Sequence, residues 1–524
     1  MIVISQFAGK IISNSLLFSI LSQTTQPSEK PKGFNAFFIG LLFGFLKLVA
    51  RLPYPVLNLL GRGIGRVMYL IKSRRRIVEA NLRYCFAELS YQERQKMCKE
   101  HFASLGIGFV ELAVAWYKPF KQLEKYQKIK GLEHYEKALA SGKGILFLGY
   151  HITSLELAGA VMSRYLDFAA FYRPNKNKAL DYHIQKGRNN RSKTLGRNDI
   201  RSIGKWLKGG NHLWFMPDQD MGLKSSVFAP FFGNPMATLN STMRIAKLGH
   251  ALVLPVSYHK NEQGQMVVEV LPEIQFTGDD YVDATMCNKI LEACIRQAPE
   301  QYYWVHRRFK TLPEGQRGIY YQKPAKLHTI SAEQHDGAIY SGKILSRQNN
   351  LPKLVQTIDG QILNIFPRRT SLGVDITRQE LDKMLQKCNL LAFRGFYSIS
   401  PQEFTLCSER QAYMLRYAEI PAISLRHIPQ DKHDATAILL GNWLAQLHNE
   451  GVYLKNIRQA NIQMLPNGNF VLLNPIDCEF YQKGLKLKLR DADKASLLNE
   501  LALFKNNNQA VDLFNKQYLL NSLP

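Results

Sequence analysis

The stretch Gly144-Ile-Leu-Phe-Leu-Gly149-Tyr-His151-Ile-Thr-Ser-Leu-Glu156-Leu-Ala-Gly-Ala160 decides the fold. Its apolar run, Ile145 to Leu148, reads as a strand buried on both faces. The run stops at Gly149, meets His151 and passes into a Leu- and Ala-rich segment of helical character. In α/β sheets ligands collect at the carboxyl ends of the strands, and His151 falls there. Histidine is the side chain whose ordinary pKa lies nearest neutrality. Glu156 follows with four residues between. A turn into a helix can bring that carboxylate back to the imidazole. His151 then takes a proton from a hydroxyl while Glu156 holds the ring, which is base chemistry without a protein nucleophile. The competing reading, a hydrogen-bonded histidine at a helix start, is equally open on these residues alone.

Outward from this stretch, strand and helix signals alternate. Strands are expected at 144–149, 167–172, 212–216, 251–257 and 265–271, and helices at 153–164, 199–208, 238–248 and 282–297. That order is an α/β sheet covered by helices. Four polar clusters interrupt it: Tyr172-Arg173-Pro174-Asn175, Gly187-Arg188 through Arg191-Ser192-Lys193, Met216-Pro217-Asp218-Gln219-Asp220, and His306-Arg307-Arg308-Phe309-Lys310. Arginines near such a strand end can clamp phosphate bidentately, or be solvated surface charges. Asp218 is either an orienting carboxylate or a turn cap.

Upstream, Phe34 to Leu52 is nearly uncharged, closed by Lys47 and followed by Pro53-Tyr54-Pro55. It reads as a membrane-associated helix, spanning or lying in the interface, against the alternative of a buried core helix. Residues 56–83 intersperse apolar residues with Arg62, Arg66, Lys72, Arg74, Arg75, Arg76 and Arg83, a pattern suited to anionic lipid. Ser90 and Glu93 form a capping-box signal for a helix reaching about Trp116. Residues 1–33 read as an N-terminal extension in which a signal peptide is not favoured.

The chain carries 68 Lys and Arg against 42 Asp and Glu, most of the surplus before about residue 320. Such a chain favours acidic partners. No zinc-finger spacing, arginine-rich tail or aromatic-basic repeat points to nucleic acid. The seven cysteines are scattered, form no metal pattern and suggest a reducing compartment. Residues 321–350 look like a linker with a strand or two. Residues 351–524 form a second unit, with strands expected at 353–357, 361–366 and 391–397, helices at about 408–417 and 434–449, and a hairpin around Pro466-Asn467-Gly468-Asn469.

Several stretches, in order, carry a family resemblance: Leu52-Pro-Tyr-Pro-Val56, Asn81-Leu-Arg83, Phe86-Ala-Glu-Leu-Ser90, His151-x4-Glu156, Tyr172-Arg-Pro-Asn175, Pro217-Asp-Gln-Asp220, Ser226 to Gly233, and Ala298 to Thr311. Together, residues 35–320 resemble the lauroyl/myristoyl acyltransferases of lipid A biosynthesis, lysophospholipid-acyltransferase-like enzymes of Gram-negative bacteria. The resemblance implies a glycerolipid-acyltransferase-like sheet over 84–320, preceded by the membrane-associated segment 34–83. It makes His151 and Glu156 the catalytic pair. It implies acyl carrier protein as donor, a phosphorylated, Kdo-bearing lipid A precursor as acceptor, and no cofactor or metal for acyl transfer. It also implies placement at the cytoplasmic face of the bacterial inner membrane, with anionic lipid as a further partner. By position Arg173, Arg188, Arg191, Arg307 and Arg308 become candidates for the acceptor's phosphates, and Asp218 a structural or acceptor-binding residue.

Farther on, Leu447-His-Asn-Glu-Gly-Val-Tyr453 with 454–462 resembles the loop of lipopolysaccharide Kdo and heptose kinases, which have a protein-kinase-like α+β fold. Their His-x-Asp-x4-Asn pattern falls on Leu454, Asn456 and Asn461, and a later metal-binding Asp falls on Asn474, with Asp477 three residues on. Asn neither accepts a hydroxyl proton nor holds Mg²⁺ as a carboxylate does. The resemblance therefore implies a degenerate kinase-like unit, with Asn461 and Asp477 as residual nucleotide-site candidates and ATP and Mg²⁺ needed only if it is active. The alternatives are a bifunctional acyltransferase and sugar kinase, an acyltransferase for another glycolipid or aminolipid, and a non-catalytic scaffold. A scaffold needs neither His151 nor Glu156.

Overall fold

The computed structural model describes residues 34–522, except 173–174, 192, 197–199, 314–318, 321–325, 349, 360, 372–373, 399–400, 402, 418–422, 426–427, 456–461, 467, 473–474, 482–483 and 506. The chain divides into two compact units, residues 1–86 with 95–318, and residues 87–94 with 319–524.

The first unit is built on a seven-stranded sheet. Its strands are β1 (Gln127–Lys130), β2 (Ile145–Leu148), β3 (Ala169–Tyr172), β4 (Lys193–Gly196), β5 (His212–Phe215), β8 (Leu252–Lys260) and β9 (Met266–Val270), in the order β1-β9-β8-β2-β5-β3-β4. Strands β6 (Ser226–Phe231) and β7 (Asn234–Leu239) form a separate antiparallel hairpin. All pairings in the large sheet are parallel except β8 with β9. All four residues of the central strand β2 are buried, as the unbroken apolar run requires.

The helices are α1 (Phe34–Val49), α2 (Tyr54–Tyr69), α3 (Lys72–Cys85), α4 (Tyr91–Tyr117), α5 (Leu132–Ala140), α6 (Leu155–Tyr165), α7 (Lys178–Asn189), α8 (Ile200–Lys208), α9 (Ser241–Gly249) and α10 (Asp280–Gln297). On one face of the sheet Leu146, Leu148, Leu213 and Val253 pack with Ile203 and Leu207 of α8, Ile245 of α9 and Cys287 of α10. On the other, Phe147 meets Tyr135 of α5, ring centroids 5.7 Å apart. The expected alternation is realised, with additions. Strands β1 and β4, the β6–β7 hairpin, α5 and α7 are not among the expected elements.

The expected transmembrane helix is overturned. Helix α1 has 16 residues, about 24 Å of helix against about 30 Å of hydrocarbon. No helix among the described residues is long and apolar enough to cross a membrane. This removes the membrane helix from the fold class, and with it the inner-membrane placement that rested on a spanning segment. Instead, α1 and α2 are packed elements of the first unit. Phe43 of α1 stacks on His183 of α7 at 4.5 Å and on Trp116 of α4 at 5.9 Å. Helix α2 meets α4 through glycines: a Cβ on Gly65 would lie 2.2 Å from the Phe102 carbonyl oxygen, and one on Gly106 2.1 Å from that of Gly61. Close backbone approach, rather than lipid contact, accounts for these glycines.

The second unit holds a six-stranded sheet in the order Leu327–Ile330, Glu403–Cys407, Ala412–Tyr417, Ile362–Pro367, Leu351–Gln356, Lys343–Gln348. Helix Ile376–Phe393 lays Leu381, Leu385 and Cys388 against Phe404, Tyr413 and Leu415 of it. Helices His433–Asn449 and Asn508–Asn521 form a second core with the hairpin Ile462–Met464 and Phe470–Leu472. The expected helix at 408–417 is a turn and a strand, and the expected strand at 391–397 is the end of helix Ile376–Phe393 and its exit. Residues 327–348, inside the expected linker, carry a strand, a capped helix and a second strand. The Ser90–Glu93 capping box is present, with Glu93 N–H donating to Ser90 Oγ at 3.2 Å and Ser90 N–H to Glu93 Oε2 at 2.8 Å.

Candidate active site

His151 leaves the carboxyl end of β2 on a segment that cannot move freely. A Cβ on Gly149 would lie 2.4 Å from Trp214 Nε1 and 2.6 Å from the Tyr258 hydroxyl, so only glycine lets the chain turn here. Tyr150 N–H donates to that hydroxyl at 2.5 Å. Tyr303 N–H donates to His151 O at 3.0 Å and Thr153 N–H to Gln301 O at 2.8 Å. From the opposite side, α4 holds the same segment with a polar seam at helical spacing, His101, Ser104, Gly108 and Glu111. Ser104 Oγ lies 2.7 Å from Thr153 Oγ1, and Ser154 Oγ donates to Glu111 Oε2 at 2.5 Å. Buried Glu111 also receives Lys260 Nζ at 3.2 Å and the Tyr54 hydroxyl. Sequence reading missed this seam because attention went to the apolar side of α4.

The carboxylate on His151 is Asp218, from the loop after β5. Oδ1 of Asp218 is 2.6 Å from Nδ1 of His151, and Oδ2 accepts the His151 backbone N–H at 2.9 Å. A proton on Nδ1 leaves the lone pair on Nε2, which makes no hydrogen bond among the described residues. Burial works to raise the Asp218 carboxyl, but the His151 ring and the Arg308 charge outweigh it and hold it at about 2. Glu156, expected on His151, stands elsewhere in the first turn of α6. It accepts Arg188 Nε at 3.1 Å and Trp116 Nε1 at 2.9 Å. Burial pushes its carboxyl up, and Arg188 and Trp116 bring it below the ordinary value. The structure thus transfers the orienting contact from Glu156 to Asp218, because the turn into α6 points residue 156 at α4 and α7.

The other sequence candidates separate. Arg188 is committed to Glu156, and Arg191 donates to the carbonyls of Ala115 (2.6 Å) and Lys118 at the end of α4. Both side chains are thus engaged within the protein, Arg188 in an ion pair and Arg191 at a helix end. Arg307 is exposed and Arg308 is 2 % exposed beside Asp218. Arg173 and Asn461 lie outside the described residues, and Asp477 is an exposed turn residue. No group of metal-ligating side chains occurs among the described residues. Asn81, unassigned by the sequence, donates to the carbonyls of Trp304 (2.7 Å) and His306 (2.8 Å) and fixes the segment carrying Arg308.

Two hollows meet at the Asp218 side chain. A small polar one contains His151, Asn81, Gln219 and His306. A second, mainly apolar one, with about 30 Å³ of free space, runs behind Tyr150 to Met243, Cys287, Leu291 and Cys294. Burial pushes the Cys287 thiol up to about 12 and raises Cys294 as well, so neither offers a thiolate. The arrangement brings together a histidine whose ring is held by a carboxylate, an apolar cavity reaching that carboxylate, and cavity-wall thiols that are not ionised.

The sequence matches the bacterial lipid A biosynthesis acyltransferase family over residues 28–311, and the chain belongs to that family. It is an acyltransferase of the lipid A biosynthesis class. It is 40 % identical over 282 residues to the lipid A biosynthesis palmitoleoyltransferase of Escherichia coli (strain K12), covering 53 % of this chain and 92 % of the relative. Against the lipid A biosynthesis lauroyltransferase of the same organism the identity is 38 % over 278 residues, 52 % of this chain and 91 % of the relative. A lipid A biosynthesis acyltransferase of Haemophilus influenzae (strain ATCC 51907 / DSM 11121 / KW20 / Rd) is 33 % identical over 272 residues, 50 % and 87 % of the two chains. These matches cover about half of the chain, and no relationship to Kdo or heptose kinases is shown for the second unit.

Two expectations follow from the geometry. Glu156 and Arg188 form a nearly buried pair, so removing Arg188 leaves the Glu156 carboxylate to Trp116 Nε1 and removing Glu156 takes away the carboxylate that Arg188 meets. Glu156→Gln and Arg188→Met are each expected to lower stability by about 3 kcal/mol, and the double variant by no more than either alone. Denaturant melts of the four proteins check this. The second concerns acid. Burial holds His101 at about 4 despite its bond to Glu300 O, and burial with the Arg308 charge holds His306 at about 4. Folded values below the unfolded value of about 6.5 mean that the unfolded chain binds more protons in that window. Stability is full above about pH 6.5 and falls toward pH 4, by up to about 3 kcal/mol per group. His101→Gln is expected to flatten the slope of Tm against pH over that range.

Proposed function

We propose that the first unit moves a fatty acyl chain from acyl carrier protein to a hydroxyl of a phosphorylated, Kdo-bearing lipid A precursor, with His151 as general base. The observation that carries the reading is the His151–Asp218 pair, whose carboxylate also lines the apolar cavity. Nε2 of His151 takes the proton of the acceptor hydroxyl as its oxygen attacks the thioester carbon. The ring becomes imidazolium, and Asp218, already ionised, stabilises it without taking the proton. The C–S bond breaks, the carbonyl re-forms as an ester, and the departing thiolate recovers the proton from Nε2. Glu156, through Arg188 and Trp116, sets the start of α6 and so the frame behind His151 rather than the ring itself. Support for an acidic carrier as donor comes from the surplus of 68 basic over 42 acidic residues. Support for a lipid A precursor as acceptor comes from the names of the relatives, which say lipid A biosynthesis.

The test is transfer from a labelled acyl carrier protein to a Kdo-bearing lipid A precursor by the full chain. Product formation with free carrier thiol in equal amount is expected. Absence of product with this acceptor, and its appearance with another glycolipid or an aminolipid, would replace the acceptor and keep the reaction.

A further inference from the structure

Arg308 is a buried cation that pairs with no carboxylate among the described residues, although its charge is felt at Asp218 and its guanidinium lies 5.7 Å from the centroid of the Phe231 ring. It is 2 % exposed, yet its one hydrogen bond among those residues is long, Nη1 to Ala237 O at 3.4 Å. Nε and Nη2 are buried and make none there. Two buried guanidinium donors left unmet are costly in a finished fold, and such a group is explained when something arrives to meet it.

Its position says what arrives. Only Asp218 and Arg308 line both the polar hollow of His151 and the apolar cavity behind Tyr150. A thioester with its chain in that cavity, and its carbon within reach of a hydroxyl held by His151, has its carbonyl at this junction. Asp218 is an acceptor already engaged with His151, so Arg308 is the donor there. Gln219 Nε2 and the Tyr303 hydroxyl are also unmet, but they line the polar hollow alone and are uncharged. Asn81 Nδ2 is committed to two carbonyls.

We infer that the Nε and Nη2 groups of Arg308 receive the thioester carbonyl oxygen and hold it as the oxyanion of the tetrahedral intermediate. The inference rests on the acyl-transfer reading above. As the acceptor oxygen bonds to the carbonyl carbon, the C=O π pair moves to the oxygen facing Arg308. When the C–S bond breaks, that pair returns and the sulfur leaves with the bonding electrons. A donor fixed before the reaction, in a water-poor site, acts most strongly where charge develops. Arg308 would then be a catalytic residue, not one that grips the acceptor's phosphates.

The test pairs two ligands that differ in the head group, octanoate as the oxyanion imitation and octanol, with transfer kinetics on the full chain. Wild type is expected to bind octanoate about tenfold more tightly than octanol. Arg308→Met is expected to bind both alike with octanol affinity kept, and to lose about 10²- to 10³-fold in kcat while KM for the acyl carrier thioester stays within about threefold. Arg308→Lys should regain part of both effects. Equal binding of the two ligands by wild type overturns the inference, and so does an Arg308→Met protein that keeps the octanoate preference or its kcat. Should Arg308→Met fail to fold, Arg308→Lys decides: full kcat and an unchanged preference overturn it. An Arg308-dependent preference for octanoate in a protein that acylates no acceptor would leave the anion site standing and sink the proposed reaction instead.

Discussion

Acyl transfer by His151→Ala is expected to fall by at least about 10³-fold in kcat, with the fold retained. The ring is the only group at the end of β2 that combines an oriented tautomer with an unengaged nitrogen. Its removal deletes the acceptor for the hydroxyl proton and the donor for the departing thiolate together, so both halves of the reaction suffer. The fold should survive because the segment is held mainly through the backbone and neighbouring residues, by Tyr303, Gln301, Ser104 and Glu111. The measurement is single-turnover transfer from labelled acyl carrier protein, with thermal melts alongside. Residual transfer near the wild-type rate would remove His151 from the mechanism.

Asp218→Asn is the second large effect, expected at about 10²- to 10⁴-fold in kcat. The carboxylate accepts twice from one residue, through Oδ1 from the ring and Oδ2 from the backbone N–H. An amide offers one oxygen and one NH₂. If its oxygen keeps the backbone N–H, its NH₂ faces Nδ1 and drives the ring proton to Nε2, which ends its use as a base. If the amide flips, two donors face each other at the backbone. With Asp218 held at about 2, it stays ionised across neutral and mildly acidic pH, so loss of rate between pH 4 and 7 does not record its titration. Steady-state rates with melts check the prediction. Full activity in Asp218→Asn with none in Glu156→Gln would return the orienting role to Glu156.

The sequence signals worked where one residue's environment was local. The buried run Ile145 to Leu148 specified the central strand, and with it the place of His151 just past its carboxyl end. The capping box at Ser90 and the hairpin around Gly468 were likewise readable, since each depends on residues a few positions apart. The partner of His151 was not. Glu156 and Asp218 are both carboxylates in plausible places, and the choice depends on how far α6 rotates residue 156 toward Trp116 and Arg188. Arg191 misled for the same reason, since a basic residue that caps a distant helix looks like one that awaits phosphate. The apolar stretch Phe34 to Leu52 misled as a spanning segment because its helix is only 16 residues long; Phe43 and Leu46 pack inward, while Phe37, Leu41, Phe45 and Leu48 stay exposed. Strand β4 was hidden in a polar segment because edge strands need little apolar character.

Helix α4 touches two things at nearly the same point. Gly106 admits the backbone of α2, and Gly108 lies so near the His151 segment that a Cβ there would stand 2.0 Å from Thr153 O. The helix is therefore a spacer whose thickness is set by missing methyl groups. Adding one at either place widens a gap that the base cannot follow. Inactive variants of this enzyme should therefore arise among its smallest residues, in positions that never meet either substrate. Shortening the chain from its amino end would also strip α4 of the surface against which that spacing is gauged, so α2 belongs to the precision of the catalytic centre.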